Sequence, residues 1–295
     1  MAATIRKLRD SDRDDILEMS RHTWEGHDYL PSVADEWLHD PRSHFYGVET
    51  DGHVVAVGNL RLLEDGWTGW MEGLRVHPEY RGRGFANDIT LYFVRKAESL
   101  GERRLRYTTS TENAASMRLA KMASFSKALR MAVLWHPNPR LIPRIRGYPP
   151  IRKQSPERTC RLLETSPRTV PHGIVVYDWK AVDITCPSIE KIGRTHEFFI
   201  ALKERKIDSL SFGSSGQGSN RPWWNFTVYA ADSHGFISQL SHNLTLASKH
   251  GFRSIACTFE TRFEKTLDEL KLGEGRDGTH LVLLEKALHT EKTES

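Results

Sequence analysis

The apolar positions of the chain recur with two different periods, and each period indicates one kind of element. Runs in which apolar residues recur at about every second position predict strands at Phe45–Glu49, Val54–Leu63 and Trp67–Val76. The pairs Asp51-Gly52 and Asp65-Gly66 lie between these runs, and such pairs are typical of β-hairpin turns. The three runs therefore predict an antiparallel meander.

Apolar residues spaced three or four positions apart predict helices on both sides of this meander. Before it they occur over Asp14–Arg21 and in the segment PSVADEWLHDP, and after it they occur from Leu91 to Leu100. The next predicted elements are a strand, a helix and a strand, at Arg104–Thr109, Asn113–Met122 and Leu129–Trp135. With a first strand at Thr4–Leu8, the order is βαα, three antiparallel strands, α, β, α, β.

Prolines and basic residues then dominate a long stretch. Between Pro137 and His172 the chain has eight Arg or Lys residues and only two acidic ones. We interpret residues 137–172 as a Pro-rich basic linker, with contact to a phosphate or polyanion as the alternative. The chain is thereby divided into a first domain over residues 1–136 and a second over residues 173–290.

The second half repeats part of the first at low resolution. Strands are predicted at Gly173–Trp179 and Trp224–Ala230, and helices at Ile189–Lys203 and Ile237–His250. The segment QLSHNLTLASKHGFRSIACTFETRFEKTLDELKLG follows the same order of helix, glycine, strand, turn and helix as LYFVRKAESLGERRLRYTTSTENAASMRLAKMASF. We read this as a structural repeat.

Composition restricts the class of protein. The 295 residues are 38% hydrophobic and 27% charged, which fits a soluble protein with two cores. Neither an apolar run of about 18 residues nor a signal peptide is found, so we expect a cytoplasmic protein without a membrane partner. The net charge of +4 suits an anionic ligand but does not indicate nucleic-acid binding. Cys160, Cys186 and Cys257 are widely spaced, so we expect reduced thiols and no metal site.

A basic, glycine-containing hexapeptide, Arg81 to Ala86, lies where the third meander strand passes into a helix. Helix N-termini carry unpaired N–H groups, and glycine allows several of them to point at one anion. The junction therefore predicts a phosphate site. The Gly-Lys-Ser/Thr of a Walker loop is missing, and the antiparallel meander before the hexapeptide does not fit a dinucleotide-binding βαβ unit.

These features resemble the GNAT superfamily of acyl-CoA-dependent N-acetyltransferases. Arg81, Gly84 and Ala86 match its pyrophosphate pattern Gln/Arg-x-x-Gly-x-Gly/Ala. More narrowly, the segments GHDYLP and MEGLRV and the long second half are similar to the vertebrate histidine N-acetyltransferase group. The resemblance implies an α/β (α+β) fold: a GNAT domain with a mixed, mostly antiparallel sheet and a second, degenerate GNAT-like domain. The second half lacks the pyrophosphate pattern, so we expect it to bind no second coenzyme.

The resemblance also implies acetyl-CoA as co-substrate, with no metal, and it assigns the coenzyme contacts. Backbone groups on the third meander strand would bind the pantetheine arm, the hexapeptide would wrap the pyrophosphate, and the helix after Asn113 would approach the pantetheine. Asn113 is at the same time suited to cap that helix. The implied contacts are Leu74, Arg75, Val76, Arg81, Gly82, Arg83, Gly84, Phe85, Ala86, Asn113, Ser116 and Leu119.

Acetyl transfer to an amine needs a base, and Glu72 is the first candidate. It precedes Gly73, and a glycine inside a strand often marks a bulge. The alternative is a structural ion pair between Glu72 and Arg61 or Arg106.

The acid is less defined, because Ala120 stands where the family has a tyrosine, and Ser124-Phe125 replaces its Gly-Phe. Two alternatives are open. The CoA sulfur leaves as a free thiolate, or a tyrosine at another position, Tyr29 or Tyr107, protonates it.

For the acceptor we expect Glu25, Asp28, Tyr29 and Glu72 to contact the substrate, with Arg75 or Arg130 pairing with an α-carboxylate. The leading function is acetylation of the α-amine of a free amino acid, most favourably L-histidine. The alternatives are another small amine, a protein N-terminus, or a catalytically silent acyl-CoA-binding module. Whether the protein is a monomer or a homodimer is not determined.

Overall fold

The chain folds into two units. The computed structural model describes residues 3–23, 28–136, 142–143, 146–217, 222–271 and 279–289. The first unit consists of Met1–Tyr107, Asn113–Ala128 and Leu284–Ser295, and the second of Thr108–Glu112 and Leu129–Leu283. Within the described ranges, a search for a helix both long and apolar enough to span a bilayer finds none.

The first unit is built on a mixed sheet with helices on both faces. Strands β1 to β4 pair with their neighbours in antiparallel fashion, and β4 pairs with β5 in parallel. The mixed, mostly antiparallel sheet expected from the sequence is thereby confirmed. Its elements are β1 (Thr4–Lys7), α1 (Arg13–Arg21), α2 (Leu30–His39), β2 (Ser43–Thr50), β3 (His53–Leu62), β4 (Thr68–Val76), α3 (Phe85–Ser99), β5 (Arg104–Ser110) and α4 (Ala114–Met122).

Apolar residues on alternate positions of β3 explain the layering. Val57 packs with residues of α1 and α2, such as Ile16 and Trp37, in one buried cluster. Gly58 faces the other way, and a Cβ there would lie 3.0 Å from the ring of Phe93 on α3. Successive strand residues point to opposite faces, so α3 covers the face that α1 and α2 leave free.

The second unit has a similar sheet and an additional hairpin. Strands β7, β10, β11 and β12 pair antiparallel in that order, β12 pairs in parallel with β13, and β13 pairs antiparallel with residues 131–135 of β6. Strands β8 and β9 form a separate hairpin. The elements are β6 (Ser126–Trp135), β7 (Arg152–Gln154), α5 (Pro156–Glu164), β8 (Ile174–Tyr177), β9 (Lys180–Asp183), α6 (Cys186–Ile192), β10 (Glu197–Lys203), β11 (Lys206–Gln217), β12 (Pro222–Ala230), α7 (Ser233–Lys249), β13 (Ser254–Glu260), α8 (Glu264–Glu269) and β14 (His280–Ala287).

The predicted repeat is confirmed in element order and strand direction. An antiparallel meander is followed by a helix, a parallel strand, a second helix and a further strand in both halves of the chain: β2 to β6 with α3 and α4, and β10 to β14 with α7 and α8. Three strands, β5, β6 and β14, contribute residues to both units. The expected GNAT-like second domain is therefore present as a fold.

The predicted helix Ile189–Lys203 is wrong beyond Ile192. Helix α6 ends at Ile192, and Glu197–Lys203 forms β10, which pairs with β11 on one side and β7 on the other. The apolar run from Phe198 to Ala201 is buried. A short continuous apolar run fits a buried strand and a buried helix equally well, so periodicity alone did not separate them.

Within the stretch 137–172 predicted as a Pro-rich basic linker, residues 152–154 form β7 and residues 156–164 form α5. Residues 137–141 and 144–145 lie outside the described ranges, and the domain boundaries stay predictions.

The expectation of reduced thiols is wrong for two cysteines, because a disulfide joins Cys160 on α5 to Cys186 at the start of α6. Their Cα atoms are 5.4 Å apart although 26 residues separate them in sequence. The packing of α5 on α6 creates this proximity, and sequence spacing does not report it. Cys257 is a buried free thiol.

Candidate active site

The hexapeptide connects β4 to α3 through two left-handed glycines. Gly82 has φ +77°, and Gly84, which is the N-cap of α3, has φ +92°. A Cβ at Gly82 would have no neighbour within 4 Å, and the nearest atom to one at Gly84 is Asp88 Oδ2 at 4.0 Å. Backbone conformation and not crowding therefore selects glycine here. The first turn of α3 opens from an exposed loop, as an anion site requires.

The two arginines of the loop brace its backbone. Arg81 Nε donates to the carbonyl of Val76 at 3.3 Å, and Arg83 Nη2 donates to the carbonyl of Glu79 at 3.2 Å. The Arg83 guanidinium also lies 4.6 Å from the centre of the Tyr80 ring. Both side chains are exposed, so their positive charge faces the solvent from which an anionic ligand would approach.

Strands β4 and β5 part beside this loop. Their parallel pairing covers only Thr68–Trp70 with Arg104–Arg106. Beyond it, β4 continues to Val76 with β3 as its paired neighbour, and its register shifts opposite Gly58. Gly73 at this point has φ +69°, so the bulge expected from the sequence is found. The divergence leaves one edge of Leu74 to Val76 turned away from β5, where a ligand chain can lie.

A tryptophan fills the space beside the bulge. A Cβ added at Gly73 would lie 2.6 Å from Cη2 of Trp37 and closer still to its Cζ3. Trp37 itself is buried and packs edge-on against Phe45 at 5.3 Å between ring centres. Helix α2 and the bulge are thus in direct contact, with no room for a side chain at position 73.

Glu72 is held by polar neighbours on β3. Its Oε1 accepts a hydrogen bond of 3.2 Å from Asn59 Nδ2 and lies 3.7 Å from Arg61 Nε. Its side chain is 9% exposed. Arg61 also pairs with Glu36 and Asp40 of the α2 segment. The predicted structural partner Arg61 is therefore present. The other predicted partner, Arg106, pairs with Glu285 in the first unit at 2.6 Å.

A second buried ion pair lies at the other end of the bulge. Arg75 donates from Nε and Nη2 to the two carboxylate oxygens of Asp28, at 2.9 and 2.8 Å. The Asp28 side chain is only 1% exposed and also accepts from the Leu30 N–H at 3.2 Å. Asp28 thus occupies the guanidinium of Arg75, which we expected to pair with the α-carboxylate of the substrate. Arg130, the other predicted partner, lies in the second unit.

Tyr29 joins this pair to Glu72. The Arg75 guanidinium lies 5.3 Å from the centre of its ring. Desolvation raises the pKa of Tyr29, although the residue as a whole is 40% exposed. The nearby carboxylates of Glu72 and Asp28 raise that pKa further, against the opposing effect of Arg75. The structure therefore brings together three of the four predicted acceptor residues, Asp28, Tyr29 and Glu72. The fourth, Glu25, lies outside the described residues.

Helix α4 has the predicted cap. Asn113 Oδ1 accepts from the N–H of Ser116 at 3.0 Å, as expected of an N-cap asparagine. Helix α3 packs against both β4 and α4. Ser116 and Leu119 are partly exposed.

Ala120 is buried, and a tyrosine reaches the same helix from β5. Tyr107 donates from its hydroxyl to the Ser116 carbonyl at 3.3 Å, and burial raises the pKa of Tyr107. Ser116 and Ala120 are one helical turn apart, so this hydroxyl lies beside the helix that carries the tyrosine in the family pattern. Ser124, which replaces the family glycine, has φ +60°, the conformation that glycine adopts most easily.

The second unit lacks the geometry of the first. Strands β12 and β13 remain paired over six positions, from Trp223 with Ser254 to Val228 with Phe259. Only two residues separate β12 from α7, and the carboxylate of Asp232 accepts from the N–H of Gly235 at 2.8 Å. This N-terminus is therefore already capped by an anion, and no divergent strand pair accompanies it.

Sequence reasoning did not identify Asn59, Arg61 and Trp37 as supports of the site. Arg61 was considered only as a partner of Glu72, and its contacts with α2 depend on tertiary packing. Trp37 had one available signal, because a strand glycine often marks the close approach of another group.

Comparison with known proteins agrees with this geometry. Residues 12–125 match the acetyltransferase (GNAT) family model. A histidine N-acetyltransferase of Oreochromis niloticus is 38% identical over 90 residues, which are 30% of this chain and 27% of that protein. One from Scomber australasicus is 35% identical over 77 residues, 26% of this chain and 23% of that protein. The aligned parts thus span about a quarter of these relatives' own lengths.

Two solved structures resemble nearly the whole chain. A solved structure from Thermoplasma acidophilum aligns over 96% of this chain and 99% of its own, with a TM-score of 0.63 and 18% identity. A tandem GNAT protein from the clavulanic acid biosynthesis pathway aligns over 98% and 100%, with a TM-score of 0.63 and 11% identity. At such identities the likeness concerns the fold. Residues 12–125, about two fifths of the chain, thus match the acetyltransferase (GNAT) family model, and the likeness of the rest of the chain to these two structures is one of fold.

Proposed function

We propose that the first unit is an acetyl-CoA-dependent N-acetyltransferase that acts on the α-amine of a free amino acid, most favourably L-histidine. The observation that carries this proposal is the divergence of β4 and β5 beside a loop of two left-handed glycines at the start of α3. The unpaired edge of β4 can bind a pantetheine arm, and the N–H groups of the loop beside it can bind a diphosphate. The histidine specificity rests on the names of the relatives, which match only a part of the chain.

Coenzyme binding would use the residues around this junction. Backbone groups of Leu74, Arg75 and Val76 line the open edge of β4, and residues 81 to 86 supply N–H groups and charge for the diphosphate. The exposed face of α4, with Asn113, Ser116 and Leu119, would border the pantetheine arm. The open space around Gly82 and Gly84 supports this fit, because among the described residues only Asp88 Oδ2 comes as near as 4.0 Å to either Cβ position.

The reaction joins the amine nitrogen to the acetyl carbonyl carbon and breaks the carbon–sulfur bond of the thioester. The amine must be neutral to attack, so one proton has to leave it, and the CoA thiolate departs with the bonding electrons. We assign Glu72 as the base that takes this proton, directly or through water. Asn59 and Arg61 support this role because they fix its carboxylate beside the bulge.

Tyr29 supports the reaction as a hydrogen-bond donor. Its raised pKa keeps its hydroxyl protonated at neutral pH, so it can donate but cannot act as a base there. Tyr107 has the same property and lies beside α4. A thiolate with an ordinary thiol pKa of about 8.5 does not need full proton transfer from either tyrosine in order to leave. We assign Tyr29 to the acceptor side, because it lies with Glu72 and Asp28.

Substrate choice is tested by a thiol-release assay on a panel of free amino acids, small amines and peptides. Turnover of one free amino acid, with L-histidine the first candidate, supports the proposal. Turnover of peptides or other amines alone contradicts the acceptor assignment. Coenzyme binding without any turnover contradicts the enzymatic role and favours a catalytically silent acyl-CoA-binding module. Ala120, which stands where the family has a tyrosine, is the feature that suggests this alternative.

Glu72→Gln tests the base. We expect kcat to fall by about 10²–10⁴-fold with little change in acetyl-CoA affinity, because general base catalysis contributes about that factor. Glu36→Gln is the matched control, since Glu36 shares Arg61 but is exposed. Retained turnover in Glu72→Gln across neutral pH removes Glu72 as the base.

Binding stoichiometry tests the division of labour between the two units. We expect calorimetry to give one acetyl-CoA per chain, because the second unit keeps β12 and β13 paired and caps α7 with Asp232. Two molecules per chain would contradict this assignment.

A further inference from the structure

Three metal-ligating side chains meet on the first unit outside the proposed catalytic groups. Glu18 lies on α1, His22 is the C-cap of that helix one turn later, and His77 directly follows β4. One ligand atom from each lies within 4.8 Å of the others. Glu18 Oε1 is 3.1 Å from His22 Nε2, and the two imidazole rings are 5.8 Å apart. We propose that these residues form a binding site for a divalent transition-metal ion of the Zn²⁺ type.

The donor set suits this class of ion. Two imidazoles and one carboxylate are ligands that zinc commonly uses in three-ligand sites, with water in the fourth position. Tetrahedral ligands at about 2.0–2.1 Å from zinc lie roughly 3.4 Å apart. The observed spacing requires only small side-chain adjustments, and His22 is exposed and free to make them. Hard cations such as Mg²⁺ prefer all-oxygen sites and fit this donor set poorly.

The second carboxylate oxygen of Glu18 is already oriented. Arg21 donates to Glu18 Oε2 at 2.5 Å and leaves Oε1 facing His22. A ligating carboxylate that is held by an outer partner is a common feature of metal sites.

Occupancy of this site would alter the approach to the coenzyme loop. The Glu79 N–H donates to His77 Nδ1 at 3.4 Å and caps the turn Pro78–Tyr80. A neutral imidazole has one free lone pair, so an ion on either ring nitrogen leaves none for Glu79. The same turn carries the Glu79 carbonyl and Tyr80 ring that Arg83 contacts. We therefore expect the ion to change coenzyme affinity, an effect that rests on the proposed function.

The site itself is tested without coenzyme. Zn²⁺ and Co²⁺ are titrated into the full chain by calorimetry and by visible absorption of Co²⁺. Expected are one ion per chain, a tetrahedral Co²⁺ spectrum, and affinity lower by about tenfold or more in His22→Gln and His77→Gln, since loss of even an outer-shell partner costs about 10–100-fold. His39→Gln is the control, because His39 is exposed on α2 and bonds the Asp35 carbonyl instead.

Cys160 and Cys186 could also bind the added metal ion if their disulfide were reduced, so the experiment must keep them oxidised. Cys160, Cys186 and Glu164 also place ligand atoms within 4.8 Å of one another. The titrations are therefore run without reductant, so that the disulfide persists, and a thiolate-to-Co²⁺ charge-transfer band would reveal its failure. Ion binding that is unchanged in both histidine variants, or that follows such a band, overturns the proposed site.

The coupling is measured separately. Acetyl-CoA affinity is determined with and without saturating Zn²⁺ in the wild-type chain and in His77→Gln. A zinc-dependent shift of at least threefold in the wild type, absent in His77→Gln, is expected. Equal affinities in the wild type overturn the coupling but leave the ion site intact. A chain that binds Zn²⁺ but no acetyl-CoA contradicts the proposed function alone.

Discussion

At the scale of single residues, the position with the least tolerance is Gly73. It combines a left-handed backbone with a side-chain direction that points into the Trp37 ring. Glycine is therefore required twice, once by conformation and once by volume. Glu72 precedes it, so a change at Gly73 also moves the proposed base.

Gly73→Ala separates these two requirements when it is compared with Gly52→Ala. Gly52 has φ +82° and no atom within 4 Å of a Cβ, so alanine there costs only the left-handed conformation, about 1–2 kcal/mol. For Gly73→Ala we expect a loss of about 3 kcal/mol or more, because Trp37 must also move. Urea unfolding measures both. Equal losses would show that Trp37 yields without strain.

His242 gives a residue-scale prediction on pH. It lies on α7 with its ring 4.8 Å from Phe199, and burial lowers its pKa from 6.5. The unfolded chain then binds a proton more readily than the folded one, so stability falls as the pH decreases below about 6.5. We expect His242→Phe to flatten this part of the stability curve. The measurement is urea unfolding between pH 7.5 and 5, and an unchanged slope would exclude His242 as its source.

At the scale of elements, the proposed function assigns coenzyme binding to the junction between β4 and α3. Gly84→Ala is expected to weaken acetyl-CoA binding by about tenfold or more, because a hydrogen bond to a charged group contributes about 1.5–3 kcal/mol and the loop N–H groups would turn away. Calorimetric titration measures the affinity.

Gly101→Ala is the control for this change. Gly101 follows the C-terminal end of the same helix at φ +80° with an open Cβ position, so it matches the backbone cost without touching the loop. Equal coenzyme affinity in Gly84→Ala and the wild type would contradict the proposed binding mode.

The elements also show which parts of the fold and of the candidate site the sequence was sufficient to predict. The meander and the helix after the hexapeptide were predictable, because Asp-Gly turns and periodic apolar residues are local signals. The Asp28–Arg75 pair was not, since its partners are 47 residues apart and each was expected to contact a ligand rather than the other. The sequence did not predict strand β10 or the Cys160–Cys186 disulfide for a related reason. Both depend on which element packs beside them in the folded chain.

At the scale of the molecule, the first unit includes a segment from the far end of the sequence. Residues 284–287 of β14 belong to it, and there Glu285 pairs with buried Arg106 at 2.6 Å. The Leu288 N–H also donates to the Arg103 carbonyl at 2.9 Å. About 180 residues separate these partners, so the unit is discontinuous in sequence.

Glu285→Gln tests the contribution of this segment. We expect a loss of about 2–3 kcal/mol in unfolding free energy, since a buried guanidinium loses its charged partner while Glu285 itself is partly exposed. Hydrogen exchange should increase most in β5. Glu269→Gln, which breaks an exposed pair with Lys265 at 3.9 Å, is expected to change stability by less than about 0.5 kcal/mol. Similar losses in both variants would contradict this account.

The discontinuity has a consequence for how the protein is made. During translation, residues 1–128 leave the ribosome long before residues 284–287 do, so the first unit remains with one strand position unfilled until then. An unpaired strand edge is open to pairing with other nascent chains. We therefore expect ribosome-bound intermediates that end before residue 284 to need chaperone protection, and synthesis of the first half alone to yield aggregates.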